Sequence, residues 1–298
     1  MFLLHDQIYE LQGEKNFSFL HGQLSNHIKA MNSGDSTFNF LLNAKGKIQA
    51  SLFVYRVGAK CFLAVPQVCS EVLIAHLSKM AGLSSVKIIA RPNWQIVHVL
   101  QGSEALKPDQ LFVPEHNFKD LKEVDLPIAI PTNRFRLKGV DCLVEDTAQL
   151  ASSEFATSAE LDNLRIVRGV PLFGMDYSQE HLPQETGLTE ALHFDKGCYL
   201  GQEIVARLQY RGQIKKQLVH FKIDAVKIQQ QQDVLNFEQK LVGKTTSLTF
   251  DEPGNCTIGL AWVQTSEVLL HADQLYIQGH AVKIISLPLQ SEDEQVRK

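Results

Sequence analysis

A dense group of chemically active residues lies within one stretch of eight, residues 196–203. The stretch reads Lys-Gly-Cys-Tyr-Leu-Gly-Gln-Glu, which brings an ammonium, a thiol, a phenol, an amide and a carboxylate together with two glycines. A thiol acts as a nucleophile or a metal ligand in its thiolate form. Cys198 is therefore the candidate reactive residue. The alternative is a structural cysteine buried in a turn.

The residues around Cys198 predict a turn followed by a helix. An apolar, strand-like run over 191–194 breaks at residues 195–197. Apolar residues then recur at helical spacing at Ile204, Val205 and Leu208. Cys198 is therefore expected on a tight turn, either just before a helix or inside its first turn.

This placement predicts an activated thiol. The unpaired amides of a helix start carry partial positive charge, which favours the thiolate of Cys198. The ammonium of Lys196 favours it too if it folds back toward the sulfur. Gly197 and Gly201 allow the backbone to approach a ligand closely.

The same eight residues match the K-G-C-Y-x-G-Q-E signature of YgfZ-type folate-binding proteins. These proteins are relatives of the glycine-cleavage T-protein, an aminomethyltransferase. The match continues through residues 205–207 and 210–212. Residues 19–26 and 183–188 also resemble segments of the family. The chain thus resembles this family over most of its length, while its C-terminal part matches only weakly.

The resemblance implies an α+β fold. It is a T-protein-like arrangement of antiparallel-sheet α+β subdomains around a central cavity, plus a C-terminal small β-barrel. Residues 1–212 would form the folate-binding region. Within it, subdomain one would cover about 1–45 and 125–212, and subdomain two about 46–124. Residues 213–298 would form the barrel, and their alternating apolar positions agree with a small all-β module.

The resemblance also implies a function and a set of site residues. The protein would be a folate-binding accessory protein that acts in assembly or repair of iron–sulfur proteins, and thereby in tRNA modification. Cys198 and Lys196 would be the catalytic residues. The cofactor would be tetrahydrofolate or another folate, and the partners iron–sulfur client proteins. The implied folate-binding residues are Gly197, Tyr199, Gly201, Gln202, Glu203, Arg207, Arg211, Asn26 and Glu185.

Two other functions stay open. The first is a tetrahydrofolate-dependent aminomethyltransferase of the T-protein type. The acidic pair that serves the T-protein is replaced here by Ala50 and Ser51, which cannot ionise near neutral pH. The position of its pterin-binding glutamate is occupied by Val167. The second alternative is a non-catalytic adaptor that uses the fold only as a scaffold.

Length and charge narrow the domain number and the partners that this protein can be expected to have. A chain of 298 residues corresponds to about two domains. A net charge of −4 argues against direct nucleic-acid binding, which normally requires a basic surface. A local basic cluster fits either an anion site or a solvated helix end, and it comprises Arg207, Arg211, Lys215 and Lys216.

The cysteines and the chain start indicate a reduced compartment. The five cysteines are widely spaced, odd in number and without a C-x-x-C pair, which argues against disulfides and against a dedicated metal cage. The first residues have too short an apolar run for a signal peptide. No apolar stretch approaches the ~20 residues of a membrane span. We therefore expect a cytoplasmic protein with no metal site and no membrane partner.

Periodicity predicts the other elements. Val68, Val72, Leu73 and Leu77 are expected to form the buried stripe of a helix. Ser158 is the expected N-cap of a helix over 158–169, and residues 102–124 are expected to form a loop. Strands are expected at 2–12, 61–65, 86–90, 95–100, 126–130 and 135–144, with a β-hairpin over 37–55 and a helix at 16–21.

Overall fold

The structure is a computed structural model, and it describes residues 1–100, 128–145, 155–228 and 231–286. The helices are α1 (Asn16–Gln23), α2 (Gln67–Ala81), α3 (Ser158–Val167), α4 (Pro183–Thr186), α5 (Gln202–Arg211) and α6 (Thr265–His271). The first strands are β1 (Phe2–Leu4), β2 (Asp6–Gln12), β3 (Ser36–Leu42), β4 (Ile48–Val57), β5 (Lys60–Pro66), β6 (Lys87–Ala90), β7 (Gln95–Leu100), β8 (Ile128–Thr132) and β9 (Gly139–Val144). The later strands are β10 (Lys216–Asp224), β11 (Asp233–Asn236), β12 (Leu241–Asp251), β13 (Cys256–Gln264), β14 (Leu275–Ile277), β15 (His280–Ala281) and β16 (Lys283–Ser286).

The first compact unit contains residues 1–44, 49–161 and 190–202. It holds a five-stranded sheet in the order β3-β4-β5-β2-β6 and a four-stranded sheet in the order β1-β7-β9-β8. The recorded strand pairs of both sheets are antiparallel. This confirms the predicted α+β class with antiparallel sheets. Its largest fully buried side chains include Phe40, Leu52, Tyr55 and Phe62.

The second compact unit contains residues 45–48, 162–189 and 203–298. Its sheet has seven strands in the order β15-β14-β11-β12-β13-β10-β16. β13 pairs with β12 and with β10, so its side chains are buried almost throughout. Strands predominate after residue 212, as predicted, but the module is not all-β, because α6 (Thr265–His271) lies between β13 and β14. Because β15 and β16 lie at the two edges of the strand order, closure into a barrel stays a prediction, as does a domain boundary at residue 212.

Several local predictions were wrong. The run over 191–194 is not a strand, because a short 3-10 helix over Thr189–Ala191 leads into irregular chain. Val68 and Val72 are exposed, since the buried face of α2 is formed by Cys69, Leu73 and Leu77 together with smaller residues.

The N-cap of α3 is Thr157 rather than Ser158. The hydroxyl of Thr157 accepts a hydrogen bond from the Glu160 amide at 3.2 Å, and Glu160 Oε2 accepts one from the Thr157 amide at 2.7 Å. This reciprocal pair is a capping box. The predicted loop over 102–124 lies outside the described residues.

The predicted strand over 2–12 is divided between two sheets. Residues 2–4 form β1, which pairs with β7, whereas residues 6–12 form β2, which pairs with β5 and β6. His5 is exposed between them. None of the helices in the described ranges combines the length and the apolar character that a bilayer-spanning helix requires.

A buried polar network lies in the first unit. Asp141 accepts hydrogen bonds from Tyr55 Oη at 2.6 Å and from Arg134 Nε at 3.0 Å. Its other oxygen lies 2.6 Å from His98 Nδ1. The guanidinium of Arg134 also stacks over the Phe53 ring at 3.9 Å. The charge of Asp141 is thus paired and hydrogen-bonded, as a buried carboxylate requires.

Candidate functional site

The side chain of Cys198 is exposed, whereas those of the other four cysteines are buried. Cys198 lies in the irregular segment that leads into α5, four residues before the helix begins at Gln202. We call residues 195–201 the Cys198 loop. The prediction that Cys198 precedes a helix is confirmed, and the alternative that it lies inside the first helical turn is wrong.

Burial suppresses the reactivity of the other thiols. It raises the pKa of Cys69 to about 11 and the pKa of Cys142 to about 12. The pKa of Cys61 is raised further by the same cause. A thiol that stays protonated and inaccessible is a poor nucleophile. Among the cysteines, Cys198 is therefore the one placed to meet a partner or a ligand.

The Lys196 side chain is buried and directed at the backbone of another segment. Its Nζ donates hydrogen bonds to three main-chain carbonyl oxygens, which belong to His21 at 2.6 Å, Leu24 at 2.5 Å and Asn26 at 2.9 Å. An ammonium has three hydrogens to donate, so all of them are used. This differs from the expectation that the ammonium folds back onto Cys198.

Burial lowers the pKa of Lys196 to about 7, whereas the three carbonyl acceptors stabilise its charged form and oppose this shift. The Tyr199 ring lies 4.7 Å from Nζ and covers it with an aromatic face. Burial also raises the pKa of Tyr199 to about 12, so its phenol stays neutral at physiological pH. Both side chains, which the sequence assigned to catalysis or to ligand binding, are thus packed inside the protein.

Gln202 links the two ends of the segment that contains Cys198. Its Oε1 accepts a hydrogen bond from the Tyr199 amide, and its Nε2 donates one to the Lys196 carbonyl, both at 3.3 Å. The side-chain amide of Gln202 therefore fixes the backbone on either side of residues 197–198. The motif residues around Cys198 hold the loop that carries the thiol.

Three histidines lie beside this loop. The ring of His27 lies 4.8 Å from that of His21 and 4.9 Å from that of His193, measured between centroids. Burial, followed by repulsion from Lys196, lowers the pKa of His21 to about 4. Burial and His193 lower the pKa of His27 as well. The rings of His21 and His27 are therefore neutral at pH 7.

His21 approaches the Cys198 loop directly. Its Nε2 lies 3.7 Å from the position that a Cβ atom at Gly197 would occupy, so a side chain there would contact the ring. The Nδ1 of His193 accepts a hydrogen bond from the Asp195 amide at 3.2 Å, so this nitrogen is engaged by the loop backbone. Sequence reasoning missed His21 and His27; the available signal was that they lie within and beside residues 19–26, a segment that resembles the family.

The polar side chain of Asn26 forms hydrogen bonds with the backbone. Its Nδ2 donates to the carbonyls of Phe38 at 3.0 Å and Glu190 at 2.8 Å, and its Oδ1 accepts from the His27 amide at 2.8 Å. These bonds hold the chain that contributes carbonyls to Lys196. The structure thus places Asn26 near the Cys198 loop and gives it a structural role there.

The remaining predicted site residues divide between buried and exposed positions. Glu185, in the second unit, is buried and accepts a hydrogen bond from the Leu182 amide at 2.9 Å. Burial raises the pKa of its carboxyl. Glu203 and Arg207 are exposed on α5, one helical turn apart. Gly201 has a φ of 83°, which favours glycine at the entry to the helix.

A solved structure shares this fold. The glycine cleavage system aminomethyltransferase T from Bartonella henselae superposes with a TM-score of 0.81, covering 96% of this chain and 85% of that one at 20% sequence identity. The fold is therefore that of the T-protein class. No family model matches the chain.

The tRNA-modifying protein YgfZ of Yersinia enterocolitica is 30% identical over 230 residues, which cover 70% of this chain. The protein of the same name from Yersinia pseudotuberculosis is 27% identical over 219 residues, again 70% of this chain. The chain is thus a relative of the YgfZ-type proteins, which confirms the resemblance seen in the motif. It spans 66% of the length of each of these two relatives.

Proposed function

We propose that this protein is a YgfZ-type accessory protein that uses Cys198 in the assembly or repair of iron–sulfur proteins, and thereby supports tRNA modification in the cytoplasm. One observation carries the proposal: Cys198 is exposed on a loop fixed by Lys196 and Gln202, while the other cysteines are buried. A thiolate can exchange sulfur or ligate iron of a client's cluster. The sequence similarity to the YgfZ relatives supplies the link to tRNA modification.

We propose folate, in particular tetrahydrofolate, as the small-molecule ligand, within the central cavity that the resemblance implies. Folate carries one-carbon units when bound. The exposed guanidinium of Arg207 fits the glutamyl carboxylates of a folate tail, since arginine binds carboxylates in a bidentate manner. The pterin ring has less support, because Asn26, Gln202 and Glu185 already bond to the backbone.

The aminomethyltransferase alternative has weaker support. Ala50 and Ser51, which stand where the T-protein has its acidic pair, are buried on β4 at 0% and 2% exposure. Neither residue offers a carboxylate to a reacting amine. Formation of methylene-tetrahydrofolate from an aminomethylated lipoyl carrier would establish this alternative.

Complementation tests the proposal. In a strain that lacks its own YgfZ, we expect wild-type protein to restore the modification of tRNA that depends on iron–sulfur enzymes. Cys198→Ala should fold normally and fail to restore it, because the reactive sulfur is gone. Leu200→Ala is the matched control, since Leu200 is exposed on the same loop and carries no reactive group. Full restoration by Cys198→Ala would exclude Cys198 from the function.

A further inference from the structure

Three carbonyl oxygens converge on one buried ammonium beside the Cys198 loop. We call the main-chain oxygens of His21, Leu24 and Asn26 the carbonyl cradle. The Lys196 side chain is 6% exposed and its Nζ lies within 2.9 Å of each oxygen. The cradle begins in the last turn of α1, where carbonyls lack helical partners and a cation is favoured.

The neutral carbonyl cradle and the face of the Tyr199 ring compensate the charge of Lys196. Within the described ranges, none of the ion pairs includes this lysine. Carbonyl oxygens turned toward one point in a buried site are costly unless a donor or a cation occupies that point. The ammonium therefore does for these carbonyls what a bound monovalent cation would do.

A catalytic role for this ammonium conflicts with its geometry. To reach a substrate held by Cys198, Nζ would have to leave three hydrogen bonds and break its contact with the Tyr199 ring. Doing so would expose three unpaired carbonyls in the protein interior, each at a cost of about 1–3 kcal/mol. The ammonium therefore stays where it is while the thiol reacts.

We propose that Lys196 is a positioning residue whose ammonium acts as a built-in structural cation, joining the Cys198 loop to the end of α1 so that the thiol stays exposed. This inference rests on the proposed role of Cys198 as the reactive residue. It assigns to Lys196 a task different from the activation of the thiol that the sequence suggested. Gln202 also holds the Cys198 loop in place, through its hydrogen bonds with the Tyr199 amide and the Lys196 carbonyl.

Chemical rescue tests the inference on the purified full-length protein. Lys196→Ala removes the ammonium and leaves the cradle open. We expect the alkylation of Cys198 by iodoacetamide to slow about tenfold, because a loop released from the end of α1 no longer keeps the thiol exposed, and the reactivity of a thiol depends on its accessibility. Ammonium chloride should restore the rate in a saturable manner, since NH₄⁺ supplies the missing N–H donors to the cradle.

Three controls make the rescue specific. Tetramethylammonium chloride at the same ionic strength should not restore the rate, because it has no N–H to donate. Lys196→Met should be slow and insensitive to ammonium, because its side chain still fills the space. Lys60→Ala, which removes an exposed lysine at the start of β5, should behave as wild type with and without ammonium.

The outcomes separate this inference from the proposed function. A Lys196→Ala protein that alkylates within twofold of wild type, or slows without responding to ammonium, would overturn the positioning role. Complementation by Cys198→Ala addresses the function of the thiol independently. If Lys196→Ala does not fold, reductive methylation of the wild-type protein decides: Lys196 should react at least about tenfold more slowly than Lys60. Equal rates would contradict the cradle.

Discussion

His98 and Asp141 form a hydrogen bond of 2.6 Å between Nδ1 and Oδ1, and solvent reaches neither side chain. The two residues belong to paired strands, β7 and β9, in which they lie directly opposite each other. Arg134 adds a full positive charge at the other carboxylate oxygen. Asp141 is therefore the buried charged residue whose pairing stabilises the four-stranded sheet.

We expect Asp141→Asn to lower the free energy of unfolding by about 3 kcal/mol at pH 7, because it removes the nearer of the two carboxylates that pair with Arg134 and leaves Asp6 at 3.4 Å. Urea unfolding measures the loss. Asp233→Asn, at an exposed position on β11, should change stability by less than about 0.5 kcal/mol. A loss below about 1 kcal/mol for Asp141→Asn would contradict the role of the network.

The same carboxylate predicts how stability varies with pH. Burial alone would raise the pKa of Asp141, but Arg134, His98 and Tyr55 outweigh it and hold the pKa below its usual value. The carboxylate therefore stabilises the fold above the unfolded-state pKa of about 3.9, and this stabilisation is lost as the pH falls through the lower folded value. The difference in stability between wild type and Asp141→Asn should accordingly shrink below about pH 4.

Thiol labelling should distinguish Cys198 from the other cysteines. In native protein at pH 8, iodoacetamide should add one carbamidomethyl group, at Cys198, because burial keeps the remaining thiols inaccessible. Intact mass and peptide mapping give the number and the position. In urea the same treatment should label all five cysteines. Equally fast native labelling of Cys256 or Cys69 would contradict the exposure pattern.

The capping box of α3 predicts unequal effects at neighbouring positions. Thr157→Ala should destabilise the protein by about 1 kcal/mol, because the first turn of the helix loses its side-chain acceptor. Ser158→Ala should have an effect of less than about 0.5 kcal/mol, since Ser158 is exposed and already inside the helix. Thermal unfolding of both variants measures the difference. Equal losses of stability in the two variants would contradict the assignment of Thr157 as the N-cap.

Gly169 follows α3 with a φ of +66°, and a Cβ there would lie 2.7 Å from His220 Nδ1. Gly169→Ala should therefore cost about 2 kcal/mol in unfolding free energy, from the left-handed backbone and the clash together. Gly82→Ala is the control, because Gly82 has a φ of −58° and open space around it. It should be neutral or slightly stabilising. Chemical denaturation of both variants tests the contrast.

Local pattern was sufficient to predict much of the fold. Two apolar arms around a turn with glycine predicted the hairpin of β3 and β4, and apolar spacing predicted helices where α2 and α5 lie. The errors also have local causes. Residues 191–194 are apolar because they pack in the core, with Ala191 and Leu192 buried, although they pair with no strand.

The site was predictable only in part. The spacing of the motif identified Cys198, and its exposure before a helix agrees with that reading. The partners of Lys196 could not be predicted, because the carbonyl of His21 lies 175 positions earlier in the chain. Every residue has a main-chain carbonyl, so the sequence does not show which carbonyls accept hydrogen bonds from Lys196. His21 and His27 were missed because about 170 positions separate them from Cys198 in the chain, although they lie within and beside residues 19–26.

The long separation between Lys196 and its acceptors sets an order of events during synthesis. The end of α1 leaves the ribosome early, yet its carbonyls acquire their cation only after about 170 further residues have been translated, and closing so long a chain segment is slow. Until that contact forms, the Cys198 loop is not joined to the end of α1. Under the proposed positioning role, Cys198 becomes competent only on a chain in which Lys196 has already met the carbonyls of residues 21–26.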